Sequence, residues 1–376
     1  MYFGREEEAK LYRMLMWKEA LALIGPRRAG KTTLALRLLE AWREDGGVGE
    51  YIDLEALKAP KTSDELSQMI AKVPEKGLVV LDEVQELDGW IKVVREEVEQ
   101  NRRHVLITGS SASLLSKEIA SSLGGRAIPE TILTLSFRDA KKWGLTGVEE
   151  YLSIGGYPEC VLRPNDAPKL HKLYLELTIL RDVAARKGIR DIKSLTDLST
   201  ILLSEPGKTI SAKRTCQMLK ISQPTFRSFI DGLNDAFLIL SVPPYLRSPR
   251  ERIISDAKHY AYDTGLGKSA SVSTQDDVGR RMENVVAIEL IRRGYSISYL
   301  KHDKGECDFI AQKTGEVPLA IQVWSGDGEV PEREWDGLVI GMKTAKATGL
   351  LLSLKKVKAG IENIEVKTIE DFLGKS

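Results

Sequence analysis

Cysteine is scarce in this chain, with three in 376 residues at Cys160, Cys216 and Cys307. That spacing builds neither a disulfide framework nor a zinc site, and it suits a reducing, cytoplasmic setting. The histidines, His104, His171, His259 and His302, are as scattered, and no metal cluster is expected on them. No sign of charge dominates. Fifty-five Lys and Arg against 54 Asp and Glu leave a net charge of +1, so no global field steers the chain to nucleic acid or to a membrane surface. No apolar run approaches the ~18 residues of a membrane span, and Glu6-Glu7-Glu8 is not the start of a signal peptide. Tandem repeats and low-complexity tracts are absent. What remains is an ordinary globular composition, 42% hydrophobic and 29% charged. The length allows two or three domains, each with its own core.

Against that plain background one stretch stands out. Gly25-Pro26-Arg27-Arg28-Ala29-Gly30-Lys31-Thr32 has the spacing of a phosphate-binding loop, a Gly and four residues before Gly-Lys-Thr. Ala20 to Ile24 before it reads as a buried strand. Leu34, Ala35, Leu38, Leu39 and Trp42 after it recur at helical spacing. Glycine lets the backbone take angles closed to other residues and lets a phosphate approach. The N–H groups of the loop and of the first helical turn, through Thr33, then face the anion, aided by the helix dipole. Lys31 reaches the β- and γ-phosphates, and the Thr32 hydroxyl holds Mg²⁺.

A second apolar strand, Leu78 to Leu81, feeds Asp82-Glu83. Asp82 is placed to hold Mg²⁺ through water, and Glu83 to act as general base on the attacking water. His104 to Ile107 is another buried strand, ending in Thr108-Gly109-Ser110-Ser111. A hydroxyl there can sense the γ-phosphate or cap the next helix; Ser110 is the first choice and Ser111 the second. Gly124-Gly125-Arg126 is either a surface turn or a finger that presents Arg126 to a neighbouring subunit. The last strand of this domain is expected at Thr131 to Leu135.

The second half is less explicit. Residues 137–189 read as helical, interrupted by Gly155-Gly156-Tyr157-Pro158, and Arg181-Asp182 is either a structural ion pair, the preferred reading, or a nucleotide sensor. A helix with Cys216 and Leu219, a turn, and a second helix capped by Ser222 with Pro224 in its first turn precede a strand at Leu238 to Val242. This pattern suggests a winged helix. Lys208 to Arg252 holds eight Lys and Arg against three Asp and Glu, a local excess that can follow a phosphate backbone. Beyond Ala257 come a helix with Glu283 and Glu289 and strands at Tyr295 to Leu300, Cys307 to Ala311 and Leu319 to Trp324. Asp308, with a helical Glu, is a candidate metal ligand.

With these residues in view, the chain resembles the archaeal and bacterial AAA-type ATPases that carry a C-terminal domain of uncharacterised function. The anchors are Phe3-Gly4-Arg5-Glu6, Gly25 to Thr32, Leu81 to Gln85, Thr108 to Ser111, Gly125-Arg126, Gly155 to Pro158, Arg181-Asp182 and Gly279 to Leu290. The resemblance implies an α/β fold. Residues 1–140 form a P-loop ATPase core on a five-stranded parallel sheet, and 141–190 a helical lid. Residues 191–250 form a winged helix, and 251–376 a domain like the PD-(D/E)XK restriction endonucleases. It also implies ATP rather than GTP, Mg²⁺, a homo-oligomer, and Phe3, Gly4 and Arg5 against the adenine. The nuclease pattern departs at Gln322-Val323-Trp324, where Trp324 stands in place of the Lys that stabilises charge during cleavage. The expected function is therefore ATP hydrolysis coupled to DNA binding or remodelling. The alternatives are a slow ATPase switch acting on a protein partner, or a residual metal-dependent nuclease.

Overall fold

The computed structural model describes residues 3–110, 123–246, 248, 255–270, 277–303, 305–326, 328–358, 361 and 363–375. Two compact units emerge, Met1–Thr134 with Asp235–Phe237, and Leu135–Asn234 with Leu238–Ser376.

In the first unit, strands β1 (Ala20–Ile24), β2 (Gly49–Asp53), β3 (Leu78–Asp82), β4 (His104–Gly109) and β5 (Ala127–Thr131) form one sheet in the order β2-β3-β4-β1-β5. Every pairing is parallel, as the resemblance implied. Central strands β1 and β3 are buried at each position, the condition of a parallel sheet covered on both faces. Side-chain alternation sends Leu21 and Leu23 to one face. There they meet Val80 and Leu106, and Leu11 and Leu15 of helix Glu8–Leu15 and Leu34 and Leu38 of helix Lys31–Glu44 pack against them. Each such leucine contributes about 1.5–3 kcal/mol by leaving water.

One local expectation shifts. The fifth strand lies at Ala127–Thr131, not at Thr131 to Leu135. The apolar residues that suggested a strand, Ile132, Leu133 and Leu135, are buried beyond the strand's end. The strand itself lies at the sheet edge and alternates toward solvent. The helix Ser63–Ile70 is capped by Thr62, with the Glu65 N–H on its hydroxyl at 3.2 Å.

The second unit begins with short helices. Its glycine turn at Gly155-Gly156 wraps a buried carboxylate, since Asp263 accepts the N–H of Gly156 at 2.8 Å and of Gly265 at 2.9 Å. A Cβ on Gly155 would lie 2.0 Å from Asp263 Oδ1, which explains the glycine. Asp182 is buried and pairs with Arg186 at 3.5 Å. Helices Ala212–Leu219 and Gln223–Asp235 follow, capped by the Ser211 and Ser222 hydroxyls. Next, β6 (Ile239–Val242) pairs antiparallel with β7 (Lys258–Ala261). A mixed sheet closes the unit, built from β8 (Ser296–His302), β9 (Gly305–Gln312), β10 (Leu319–Trp324), β11 (Thr348–Ser353) and β12 (Ile364–Thr368) in the order β12-β11-β10-β9-β8. β8, β9 and β10 run antiparallel, whereas β10, β11 and β12 run parallel. Helix Glu332–Ala345 crosses between β10 and β11, burying Leu338 against Cys307, Ala320 and Leu351.

Candidate nucleotide-binding site

The order of the first sheet gathers the carboxyl ends of β1, β3 and β4, where open α/β sheets take their ligands. The loop Gly25 to Gly30 leaves β1 there. It bends through positive φ at Gly25 (149°), Arg28 (66°) and Gly30 (93°). The glycines accept these angles freely, while Arg28 is an L-residue held in the left-handed region. A helix starts at Lys31, so the N–H groups of Lys31, Thr32 and Thr33 lie in a first turn without intrahelical carbonyls. Pro26 and Ala29 are buried, Arg27 is half-buried, and the Arg28 and Thr33 side chains face solvent.

Lys31 is buried, and its ammonium donates to the loop carbonyls of Gly25 at 3.0 Å and Pro26 at 2.8 Å. Across the loop, Thr32 Oγ1 donates to both oxygens of Asp82, at 3.1 and 2.9 Å, from fifty residues away. Asp82 ends β3 and is itself buried. Glu83 follows in the left-handed region, with φ 52° and ψ 55°. Its carboxylate accepts from the Gln85 amide, and its N–H donates to Thr108 Oγ1 at 3.0 Å. A buried ammonium, the N–H groups of a helix start and a hydroxyl–carboxylate pair form a set suited to a polyphosphate with a hard divalent cation, which prefers oxygen ligands. The site residues fit both groups.

The other expected residues fall as follows. Ser110 is fully buried just past β4, and Ser111 lies outside the described residues. Arg5 is buried, and its guanidinium donates to Ala29 O at 2.9 Å and Leu133 O at 2.8 Å. It therefore braces the phosphate loop from below, while Gly4 turns at φ 79° and Phe3 is 44% exposed. Arg126 precedes β5, whose Ala127 pairs with Ala20 at the start of β1. It therefore sits at the end of the sheet opposite the loop, roughly 16 Å away at ~3.3 Å per residue. There it pairs with Glu99 at 2.8 Å.

Two residues to which the sequence assigned no role join the site. Thr108 donates to Asp82 Oδ1, and Tyr51 on β2 donates to Asp82 Oδ2 at 2.7 Å. Burial and this bond push the Tyr51 phenol far above its ordinary value, so it stays a donor. Thr108 reaches Asp82 because Leu81 pairs with Ile107 and the next step sets Asp82 beside Thr108. Tyr51 carried no signal.

In the second unit, the helical glutamate that meets Asp308 is Glu283 and not Glu289. Glu289 pairs with Arg293 at 2.8 Å and Arg292 at 3.3 Å. Lys258 of β7 instead joins Glu283 at 2.9 Å, Glu306, and Asp308 at 3.9 Å. Asp308 is buried, and desolvation with neighbouring Glu283 raises its carboxyl well above the ordinary range. Among the described residues no group of three His, Cys, Asp or Glu side chains is disposed to hold a metal ion, and none of their helices is long and apolar enough to cross a membrane.

Comparison with known proteins agrees with the first unit. Residues 18–141 match the family model of an AAA domain, and residues 145–277 match a domain of unknown function. An uncharacterized protein of Haemophilus influenzae is 30% identical over 377 residues, spanning 93% of this chain and 92% of its own. The chain belongs to that protein's family. An uncharacterized protein of Methanocaldococcus jannaschii is 30% identical over 381 residues, spanning 93% of this chain and 84% of its own. Among solved structures, AMPPCP-bound DnaA from Aquifex aeolicus is 15% identical with a TM-score of 0.33, covering 62% of this chain and 89% of that one. C. elegans PCH-2 is 16% identical with a TM-score of 0.27, covering 36% and 42%. Likeness at that level carries no detail of the site. The family member described here thus has an AAA domain on a five-stranded parallel sheet.

Proposed function

We propose that the chain is a Mg²⁺-dependent ATPase whose turnover is coupled to DNA contact by the second unit. The observation that carries the ATPase reading is the meeting of Thr32 and Asp82 at the mouth of the Lys31 loop, with Glu83 next in sequence. Bound Mg²⁺ would neutralise phosphate charge, held by Thr32 directly and by Asp82 through water. The chain's own groups do the rest. Lys31 exchanges its loop carbonyls for phosphate oxygens. Glu83 takes a proton from the attacking water at its carboxylate. Ser110 is assigned to the γ-phosphate sensor, and Arg126 to a neighbouring subunit's site in a homo-oligomer.

For the second unit, the supporting observation is a pair of capped helices whose basic side chains Lys213, Arg214, Lys220 and Arg227 are all exposed. We read the pair and the β6–β7 ribbon as a winged helix, and the mixed sheet as a nuclease-like binding module without cleavage. The Lys258 ammonium is paired with Glu283 and Glu306, and Trp324 offers no charge.

The test is steady-state ATP hydrolysis with and without single-stranded and duplex DNA, using Glu83→Gln as control. DNA-stimulated turnover that falls on the order of 10²–10⁴-fold in the variant, with ATP binding kept, supports the proposal. Turnover indifferent to DNA points to a switch read by a protein partner. No turnover at all, or a Lys31→Ala variant that binds ATP as the native chain does, overturns the site.

A further inference from the structure

Tyr51 lies on β2, outside every motif that the nucleotide chemistry names, yet its hydroxyl meets Asp82 Oδ2 at 2.7 Å. From the opposite neighbour, β4, Thr108 donates to Asp82 Oδ1. The direction of that second bond is fixed. Thr108 Oγ1 accepts the Glu83 N–H, which leaves its own proton for the carboxylate. Since β3 runs between β2 and β4, the two donors grip Asp82 from both sides, one on each oxygen. A carboxylate oxygen has two acceptor directions. One direction of each oxygen therefore remains after Tyr51 and Thr108 are satisfied, and Thr32 now occupies both.

We propose that Tyr51 is a positioning residue for a divalent cation at Thr32 and Asp82. With Thr108 it locks the plane of the Asp82 carboxylate and leaves the Thr32-facing lone pairs for cation-bound water. Groups that orient a metal's ligands in this way are worth about 10–100-fold in metal affinity. A tyrosine present only for packing has no need of its hydroxyl here, because the ring alone would fill the space beside β3. The inference rests on the Mg²⁺–nucleotide reading of the loop.

The experiment titrates a fluorescent ATP analogue onto the native chain, Tyr51→Phe and Thr108→Val, first in EDTA and then at graded Mg²⁺. The expected result is an unchanged affinity in EDTA and a roughly tenfold higher Mg²⁺ requirement in each variant. Melting of the nucleotide-free Tyr51→Phe protein should stay close to native. A native Mg²⁺ curve in Tyr51→Phe overturns this inference and leaves the nucleotide site standing. Failure of the native chain to bind the analogue, with or without Mg²⁺, overturns both. A Tyr51→Phe variant that melts early but keeps the native Mg²⁺ curve assigns the hydroxyl to folding alone.

Discussion

Gly25 and Ile132 touch backbone to backbone: a Cβ built on Gly25 would lie 2.1 Å from the Ile132 carbonyl oxygen. The Ile132 N–H in turn bonds Ile24 O at 2.7 Å. The phosphate loop therefore departs from β1 against the chain that leaves β5, with no flexible side chain to give way. Gly25 also sits at φ 149°, where L side chains are strained by roughly 1–3 kcal/mol. Gly25→Ala should displace the loop, weaken ATP-analogue binding at least tenfold and lower the melting temperature. A variant with native affinity would show that the loop's path is not what aligns its N–H groups.

Arg126 should matter only between subunits. Its distance from Lys31 along the sheet and its bond to Glu99 leave it no role in its own loop's site. If it serves as a finger, Arg126→Ala loses on the order of 10³-fold in turnover while keeping ATP affinity. Mixing Arg126→Ala with Lys31→Ala should then restore activity, because each supplies what the other lacks. An Arg126→Ala protein with native turnover, or a mixture that stays silent, removes the finger.

Much of the first unit was legible because each motif sits where a change of period announces it. Ala20 to Ile24 is a continuous apolar run, Lys31 onward is helical, and Leu78 to Asp82 is apolar until its last residue. Those signals are local. What escaped is set by neighbours distant in sequence. Tyr51 reaches Asp82 only because β2 lies beside β3, and Arg5 reaches Leu133 O across 128 residues. The fifth strand slipped by four residues because burial beyond an edge strand mimics the burial of a strand. In the second unit both Glu283 and Glu289 stood open as partners for Asp308. Helical spacing alone did not reveal that Arg292 and Arg293 hold Glu289 and that Glu283 faces Lys258. Strands β11 and β12 carried no motif and went unread.

The second unit should lose stability in mild acid through His259. This residue sits on β7, 5% exposed, with Nδ1 3.0 Å from Ser241 Oγ. Burial depresses its pKa from 6.5 to about 4. The folded state thus holds the neutral ring, and between these two values the unfolded chain binds the extra proton. Stability rises with pH wherever the unfolded state is the more protonated. The His259 contribution is therefore fully present above about pH 6.5 and is lost as pH falls through about 4. At ~1.4 kcal/mol per pKa unit the whole effect is roughly 3 kcal/mol. His259→Gln cannot take up the proton, so it should flatten the fall in stability between pH 6.5 and 4.5 relative to the native chain. Other groups titrate in both proteins, and the difference between their urea midpoints isolates the histidine. Parallel curves would mean that the ring is protonated in the folded state and that a bond to the cation offsets its burial.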